Sequence, residues 1–163
     1  MGLPPFESVV TAHGAVVLRV CRAVVGAADA EDAWSETFLS ALGAYPRLRP
    51  DSDVRAWLVT IAHRRALDVV RARGRRAHPV AELPHEPVAP EVADPDPADP
   101  RLAAAVAALP DKQRHAVAYR YLADLSYADI AALLGGSEAA ARRAAADGIA
   151  TLRRTYPHLP EDP

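Results

Sequence analysis

The chain has 163 residues, and half of them are hydrophobic. This composition excludes a wholly disordered protein, and the length leaves room for one ordinary domain or two small helical ones. The net formal charge is −2. No apolar run approaches the roughly 20 residues of a membrane-spanning helix, and residues 1–5 lack the basic start of a signal peptide. The single cysteine, Cys21, excludes an internal disulfide, so we expect a cytoplasmic protein that binds no membrane.

Charge and proline divide the chain into three segments. Residues 1–77 carry 11 arginines and 8 acidic residues, whereas residues 78–100 carry 6 acidic residues, 7 prolines and no basic residue. Residues 101–163 carry 8 basic and 7 acidic residues. Because proline interrupts helices and like charges repel, we expect an extended acidic linker over 78–100 between two folded domains, 1–77 and 101–163.

Three helical patterns are expected in the first domain, and they favour a three-helix bundle. In the first pattern, valines recur at helical spacing after Phe6 until Gly26, a plausible stop. The second starts at Asp29, a favourable N-cap residue. Its apolar stripe consists of Trp34, Phe38, Leu39 and Leu42. The third starts after residues 51–53 and runs through Trp57 into an arginine cluster.

The end of the third helix is strongly basic. Six arginines fall in a 13-residue window with one acid, Asp68: they are Arg64, Arg65, Arg71, Arg73, Arg75 and Arg76. Arginines on a helix neutralise phosphates and release counterions, so contact with nucleic acid is favoured over a solvated helix face. Trp57 offers a face on which an unpaired base could stack, although a tryptophan in an apolar stripe is more often part of the core.

The second helix carries an acidic edge that includes Asp29, Asp32 and Glu36. Acidic residues in a first turn stabilise the positive end of the helix dipole, which is a sufficient explanation for Asp29. Glu36 lies beyond that turn. Two interpretations of Glu36 remain open, surface solvation and contact with a basic partner.

The second domain has the pattern of a helix-turn-helix. Helices are expected over residues 101–109, 111–122 and 126–134. A turn at Gly135 and Gly136 then precedes a helix that Ser137 opens. Near the start of this recognition helix, Arg142 and Arg143 would reach base edges or phosphates. A plain helical hairpin is the alternative.

No pattern typical of a catalytic or metal site is found. The six histidines are scattered without the spacing of metal ligands. The sequence contains neither a glycine-rich phosphate loop nor a nucleophile elbow. We therefore expect no cofactor, no catalytic residue and no enzyme.

Four sequence strings resemble those of a known family, the extracytoplasmic-function (ECF) sigma factors. Two of them, DAEDAWSETF at 29–38 and VRAWLVTIA at 54–62, are similar to region 2 of that family. The other two, LPDKQR at 109–114 and YRYLADLSYADIA at 119–131, are similar to region 4. The resemblance covers roughly residues 6–76 and 101–154, with an acidic, proline-rich connector in the same place.

The resemblance implies an all-α protein of two domains that binds core RNA polymerase and directs it to promoters. The second helix would dock on the clamp coiled coil of the largest subunit through Asp29, Asp32, Glu36 and Phe38. The loop at 47–53 and the third helix would capture the melted −10 element through Trp57 and the six arginines.

The resemblance assigns the second domain to the polymerase flap and to the −35 element, which it would contact through Ser137, Arg142 and Arg143. The linker would thread through basic channels of the polymerase, because its charge mimics a polyanion. An anti-sigma factor is a further possible partner.

The recognition helix departs from the family pattern. Ala141 and Ala145 replace a valine and a leucine, which predicts less buried apolar area. Gly148 in a helix interior costs about 1 kcal/mol relative to alanine, and Asp147 stands where a basic residue is common. In the third helix, Arg64 replaces a common asparagine. Two alternatives to a working sigma factor remain: a sigma-like regulator that acts through protein contacts with weakened −35 reading, and a helix-turn-helix repressor.

Overall fold

The computed structural model describes residues 2–75 and 99–156, and all regular structure in these ranges is helical. The all-α prediction is confirmed. The chain divides into two compact units, residues 1–94 and 95–163. Arg76 and nearly all of the predicted linker, 78–100, lie outside the described residues.

The first unit contains helices α1 (Phe6–Val25), α2 (Ala27–Ala44) and α3 (Val54–Arg75), and a 3-10 turn at Tyr45–Arg47. Gly26 separates α1 from α2 with a φ of 86°, in the left-handed region that favours glycine. Helix α2 therefore begins two residues before Asp29, which lies in the first turn and does not cap the helix as predicted. Asp53 caps α3, since its Oδ1 accepts a hydrogen bond from the amide of Ala56 at 3.0 Å.

Helices α1, α2 and α3 pack against one another as the predicted bundle. Val17, Leu58 and Val59 are fully buried between them. The indole nitrogen of Trp34 donates to the carbonyl of Gly14 at 2.9 Å, so the only polar atom of this buried ring is satisfied. This hydrogen bond fixes α2 to α1 at the centre of the unit.

Helix α1 corrects one expectation. By length and composition alone, Phe6–Val25 is apolar enough to cross a membrane, with 20 residues and a mean hydropathy of 1.5. Its apolar side is buried against α2 and α3, however, while Glu7 and Arg19 lie exposed on other faces. The hydropathy of α1 is thus explained by the core of the bundle.

The second unit contains α4 (Pro100–Ala107), α5 (Asp111–Val117), α6 (Tyr127–Leu134) and α7 (Glu138–Thr155). A π-helical turn, Ala118–Leu122, continues α5. Helix α4 begins one residue earlier than the predicted domain, because Asp99 caps it by accepting from the amide of Arg101 at 2.9 Å.

The helix-turn-helix is formed as predicted by α6, a glycine turn and α7. The φ values of Gly135 and Gly136 are 73° and 125°, which favour glycine at both positions. Ser126 caps α6 and Ser137 caps α7, each accepting from an amide three residues later at 3.1 Å. These short-range contacts define where both helices begin.

The small residues of α7 are packed closely. Ala145 is fully buried, and Gly148 lies against α5. A Cβ atom added to Gly148 would lie 2.6 Å from Cγ2 of Val117 and 3.3 Å from the carbonyl oxygen of Gln113. Alanine and glycine therefore let two helices approach closely.

Candidate nucleic-acid and partner surfaces

One face of α3 combines an aromatic ring with arginines. At about 3.6 residues per turn, positions 57, 64, 68, 71 and 75 lie along one side of the helix. Arg64, Arg71 and Arg75 are exposed there, and Trp57 is half-buried at the N-terminal end of the row. We call these four residues the α3 face; it extends over about 27 Å, the length of several nucleotides.

Acidic side chains neutralise part of the arginine cluster. Asp68 lies within 3.3 Å of Arg65 and 3.9 Å of Arg71, measured between carboxylate oxygens and guanidinium nitrogens. Arg73 points away from the α3 face and forms an ion pair with Asp29 at the start of α2. Arg64 and Arg75 form no ion pair with another residue in 2–75, so their charges are uncompensated within that range.

Trp57 forms part of an aromatic group at the N-terminal end of α3. Its ring centroid lies 6.2 Å from that of Tyr45, with 40° between the planes. The hydroxyl of Tyr45 donates to the carbonyl of Pro4 at 2.7 Å and is thereby fixed. The indole of Trp57 is thus in contact with a fixed ring and is half-buried, so part of its surface is accessible to solvent.

Helix α2 has an exposed face that is acidic at one end and apolar at the other. Asp32 and Glu36, two of the predicted polymerase-binding residues, are exposed. Leu39 and Leu42, which the sequence pattern placed in the core, are 65% and 52% exposed. The residues that face the core are Ala30, Ala33, Trp34, Thr37, Phe38 and Ala41. Because α2 already fills the core through this stripe, both leucines point outward; with the two acids they form the α2 face.

The structure places the other two predicted polymerase-binding residues beneath or beside the α2 face. Phe38 is only 6% exposed, and its ring centroid lies 4.6 Å from that of Trp34 and 6.4 Å from that of Phe6. Phe38 therefore supports α2 from inside the bundle. Asp29 is mostly buried beside Arg73.

In the second unit, the outward side of α7 forms a shallow depression lined by Glu138, Ala139, Arg142, Arg143 and Ala146. Both predicted arginines are exposed there. The hydroxyl of Ser137, also predicted to contact DNA, is used as the helix cap. Asp147 is exposed as well, so acidic and basic groups are mixed on this helix.

Arg120 and Tyr127 belong to a cluster that was not predicted from the sequence. The Cζ atoms of Arg120 and Arg142 lie 5.2 Å and 4.9 Å from the ring centroid of Tyr127, within cation–π range. Nη1 of Arg120 also donates to the carbonyl of Leu125 at 3.0 Å. Spacing along the chain does not indicate this cluster, because its members come from the π-helical turn, α6 and α7.

Burial shifts the pKa of several groups in the first unit. It lowers the pKa of His13 and His63, assisted by the nearby positive charges of Arg55 and Arg64 respectively. It raises the pKa of the Cys21 thiol to about 12, which makes this cysteine unreactive at neutral pH. Within 2–75 and 99–156, no cluster of His, Cys, Asp or Glu side chains could hold a metal ion.

Comparisons with known proteins agree with this arrangement. The family model described as "Sigma-70 region 2" matches residues 9–76, and the model described as "Sigma-70, region 4" matches residues 100–152. RNA polymerase sigma factor CarQ of Myxococcus xanthus is 34% identical over 160 residues, which cover 94% of this chain and 90% of CarQ. The chain belongs to the ECF RNA polymerase sigma factors.

A second relative of this sigma factor is ECF RNA polymerase sigma factor SigK of Mycolicibacterium vanbaalenii. It is 31% identical over 130 residues, which cover 76% of this chain and 65% of SigK. The match therefore spans just under two thirds of the length of SigK.

Two solved structures share the fold of this sigma factor. The sigma factor RpoE of Bartonella quintana, in complex with the anti-sigma factor NepR, has a TM-score of 0.69 and 19% identity, covering 94% of this chain and 96% of RpoE. CnrH, in complex with the cytosolic domain of CnrY, has a TM-score of 0.64 and 23% identity, covering 91% of this chain and 85% of CnrH. Both likenesses support the helical architecture.

Proposed function

We propose that this ECF sigma factor binds core RNA polymerase through the α2 face and directs it to promoters, where the first unit engages the melted −10 element and the second contacts the −35 element. One observation carries the proposal: a single three-helix unit presents a face suited to a protein on α2 and a face suited to nucleic acid on α3. Its role is binding, not catalysis.

The chemistry of the α2 face fits a partner helix that is both basic and apolar. Asp32 and Glu36 would attract basic side chains and orient the encounter. Leu39 and Leu42 would then lose their exposure to water, and complete burial of a leucine is worth about 1.5–3 kcal/mol. Two large apolar side chains exposed beside two acids would be covered by such a partner, as exposed apolar surface rimmed by polar residues is at protein interfaces. We assign this face to the clamp coiled coil of the largest polymerase subunit.

The α3 face fits single-stranded DNA. Arg64, Arg71 and Arg75 would follow the phosphates, and the ring of Trp57 would accept a base removed from the stack. Stacking on an aromatic ring contributes roughly 1–3 kcal/mol per base, and it requires a base that the duplex has released. The arrangement therefore favours melted over double-stranded DNA at the −10 element.

We further infer that an anti-sigma factor competes for the α2 face. RpoE was solved in complex with the anti-sigma factor NepR, and CnrH in complex with the cytosolic domain of CnrY. A competitor that covers Leu39 and Leu42 would prevent polymerase from docking. Since polymerase and promoter lie in the cytoplasm, we place the chain there too.

Run-off transcription tests the proposal. Purified core polymerase and the full chain are combined on the promoter of the chain's own operon, prepared as a duplex and in a form already melted at −10. The double variant Asp32→Ala, Glu36→Ala removes the acids of the α2 face. Glu7→Ala, which removes an exposed acid from α1, is the matched control.

We expect the wild type and Glu7→Ala to transcribe from both templates and the double variant to lose core binding and transcription together. Binding to core without transcription from either template would favour the sigma-like regulator. Absence of core binding by the wild type would refute the proposal.

A further inference from the structure

Two adjacent arginines on α7 have different surroundings. Nη2 of Arg142 donates to Oε1 of Glu138 at 2.8 Å, and its guanidinium lies over the ring of Tyr127. Arg143 is exposed and has no hydrogen bond, ion pair or ring contact with any residue in 2–75 or 99–156. The helix therefore holds one arginine against the protein and leaves its neighbour free.

The free arginine stands between two methyl groups. Ala139 lies four residues before Arg143 and Ala146 three residues after it, so all three share one face of α7. Short side chains allow the helix to lie close to the base edges in a major groove. Alanine methyls also make apolar contact with the methyl group of thymine.

The same face attracts phosphate only weakly. The negative charges of Glu138 and Asp147 offset the positive charges of Arg142 and Arg143, and all four side chains are exposed. Attraction to phosphate supplies affinity without sequence information. With that attraction reduced, selective binding by this helix depends on a contact with a base edge.

We propose that Arg143 is the specificity-determining residue of the −35 contact, and that it donates both hydrogen bonds of its guanidinium to O6 and N7 of a guanine flanked by A·T pairs. Arg142 is a positioning residue, which Glu138 and Tyr127 hold beside the groove, where it faces a phosphate. This inference rests on the proposed function, because it requires the second unit to contact duplex DNA.

The test is a selection of DNA by the holoenzyme. Core polymerase with the full chain binds a library of duplexes that are randomised at −35 and melted at −10, and the bound fraction is sequenced. The variants are Arg143→Ala and Arg142→Ala, with Arg153→Ala as a control that removes an exposed arginine from the last turn of α7. Core binding is measured separately for each protein on a native gel.

We expect the wild type to enrich guanine at one −35 position between A·T pairs. Arg143→Ala should lose that preference by roughly 5- to 150-fold, the equivalent of one bidentate guanine contact. Arg142→Ala should keep the preference, bind all sequences more weakly and reduce the slope of log affinity against log salt by about one. Arg153→Ala should keep the preference.

Two results would overturn the inference while the proposed function stands. In the first, Arg142→Ala erases the guanine preference, or Arg143→Ala retains it. In the second, the wild type binds core and transcribes from the melted template but enriches no base at −35. Loss of core binding by the wild type would instead overturn the proposed function, and this inference with it.

Discussion

Helices α3 and α7 both present arginines on their outer side, but they pack against their neighbours in opposite ways. The inner side of α3 buries large residues, with Leu58 and Val59 fully enclosed. The inner side of α7 relies mainly on Ala141, Ala145 and Gly148; Leu152 is the large residue buried there, and Ile149 packs partly buried against the same core. Helix α3 gains contacts from the size of its side chains, and α7 gains contacts from its short distance to α5.

Substitution by a smaller residue should therefore destabilise α3, whereas substitution by a larger residue should destabilise α7. Where large side chains fill the space, truncation leaves a cavity. Where the backbones are close, as at Gly148, an added Cβ meets the facing helix. The two tryptophans, Trp34 and Trp57, both lie in the first unit, so their fluorescence reports on that unit alone, whereas circular dichroism reports on both.

The largest expected effect is that of Leu58→Ala in α3. Removal of a fully buried leucine should lower the free energy of unfolding of the first unit by about 2–5 kcal/mol. Urea titration followed by tryptophan fluorescence measures it. An unchanged midpoint would show that Leu58 is not central to the packing of this unit.

Gly148→Ala in α7 should lower the free energy of unfolding of the second unit by about 1–3 kcal/mol, because the new Cβ meets Val117. This loss opposes the gain of about 1 kcal/mol in helix propensity. The matched control is Gly74→Ala at the exposed end of α3, where a Cβ meets nothing within 4 Å. We expect the control to be neutral or stabilising, measured by thermal melts with circular dichroism; destabilisation of equal size by both would contradict close packing at α7.

Acid should weaken the first unit through its histidines. Burial holds the pKa of His13 and His63 below the ordinary 6.5, so their stabilising contribution is complete above pH 6.5 and declines as pH falls toward the lowered values. The urea midpoint by tryptophan fluorescence should therefore fall between pH 7.5 and 5.5, and less so in His63→Gln. A midpoint that rises on acidification would contradict this sign.

The smallest expected effect on stability is that of Asp29→Asn, which breaks the ion pair with Arg73. Since Arg73 is 59% exposed, the free energy of unfolding should change by no more than about 1 kcal/mol.

The arginine released in Asp29→Asn should strengthen binding of a labelled single-stranded oligonucleotide at low salt. It should also steepen the slope of log affinity against log salt, by at most about 0.7. Fluorescence anisotropy measures this binding for Asp29→Asn and for the control Glu31→Gln, which removes an exposed charge from the same helix. Equal slopes in the two variants would show that Asp29 does not mask Arg73.

Much of the fold followed from signals within a few residues of each helix end. Gly26, Ser126, Ser137 and the glycine pair before Ser137 marked the boundaries correctly. The start of α2 was misplaced, because an acid in a first turn and an N-cap acid look alike in sequence. The environments of the arginines did not follow from sequence: Arg64 and Arg75 form no ion pair within 2–75, whereas Arg73 pairs with Asp29.

Backbone hydrogen bonds and φ preferences act over one helical turn, so the local sequence predicts the helices, most of their caps and the separation of charge. Which sides of those helices face outward depends on how the helices pack. Leu39 is exposed and Phe38 is buried only because α1 and α3 meet α2 along one stripe. In the same way, Arg142 is held and Arg143 is free because Tyr127 of α6 lies beside one of them. Such contacts join residues that are distant in sequence, so the spacing of residues within one helix does not predict them.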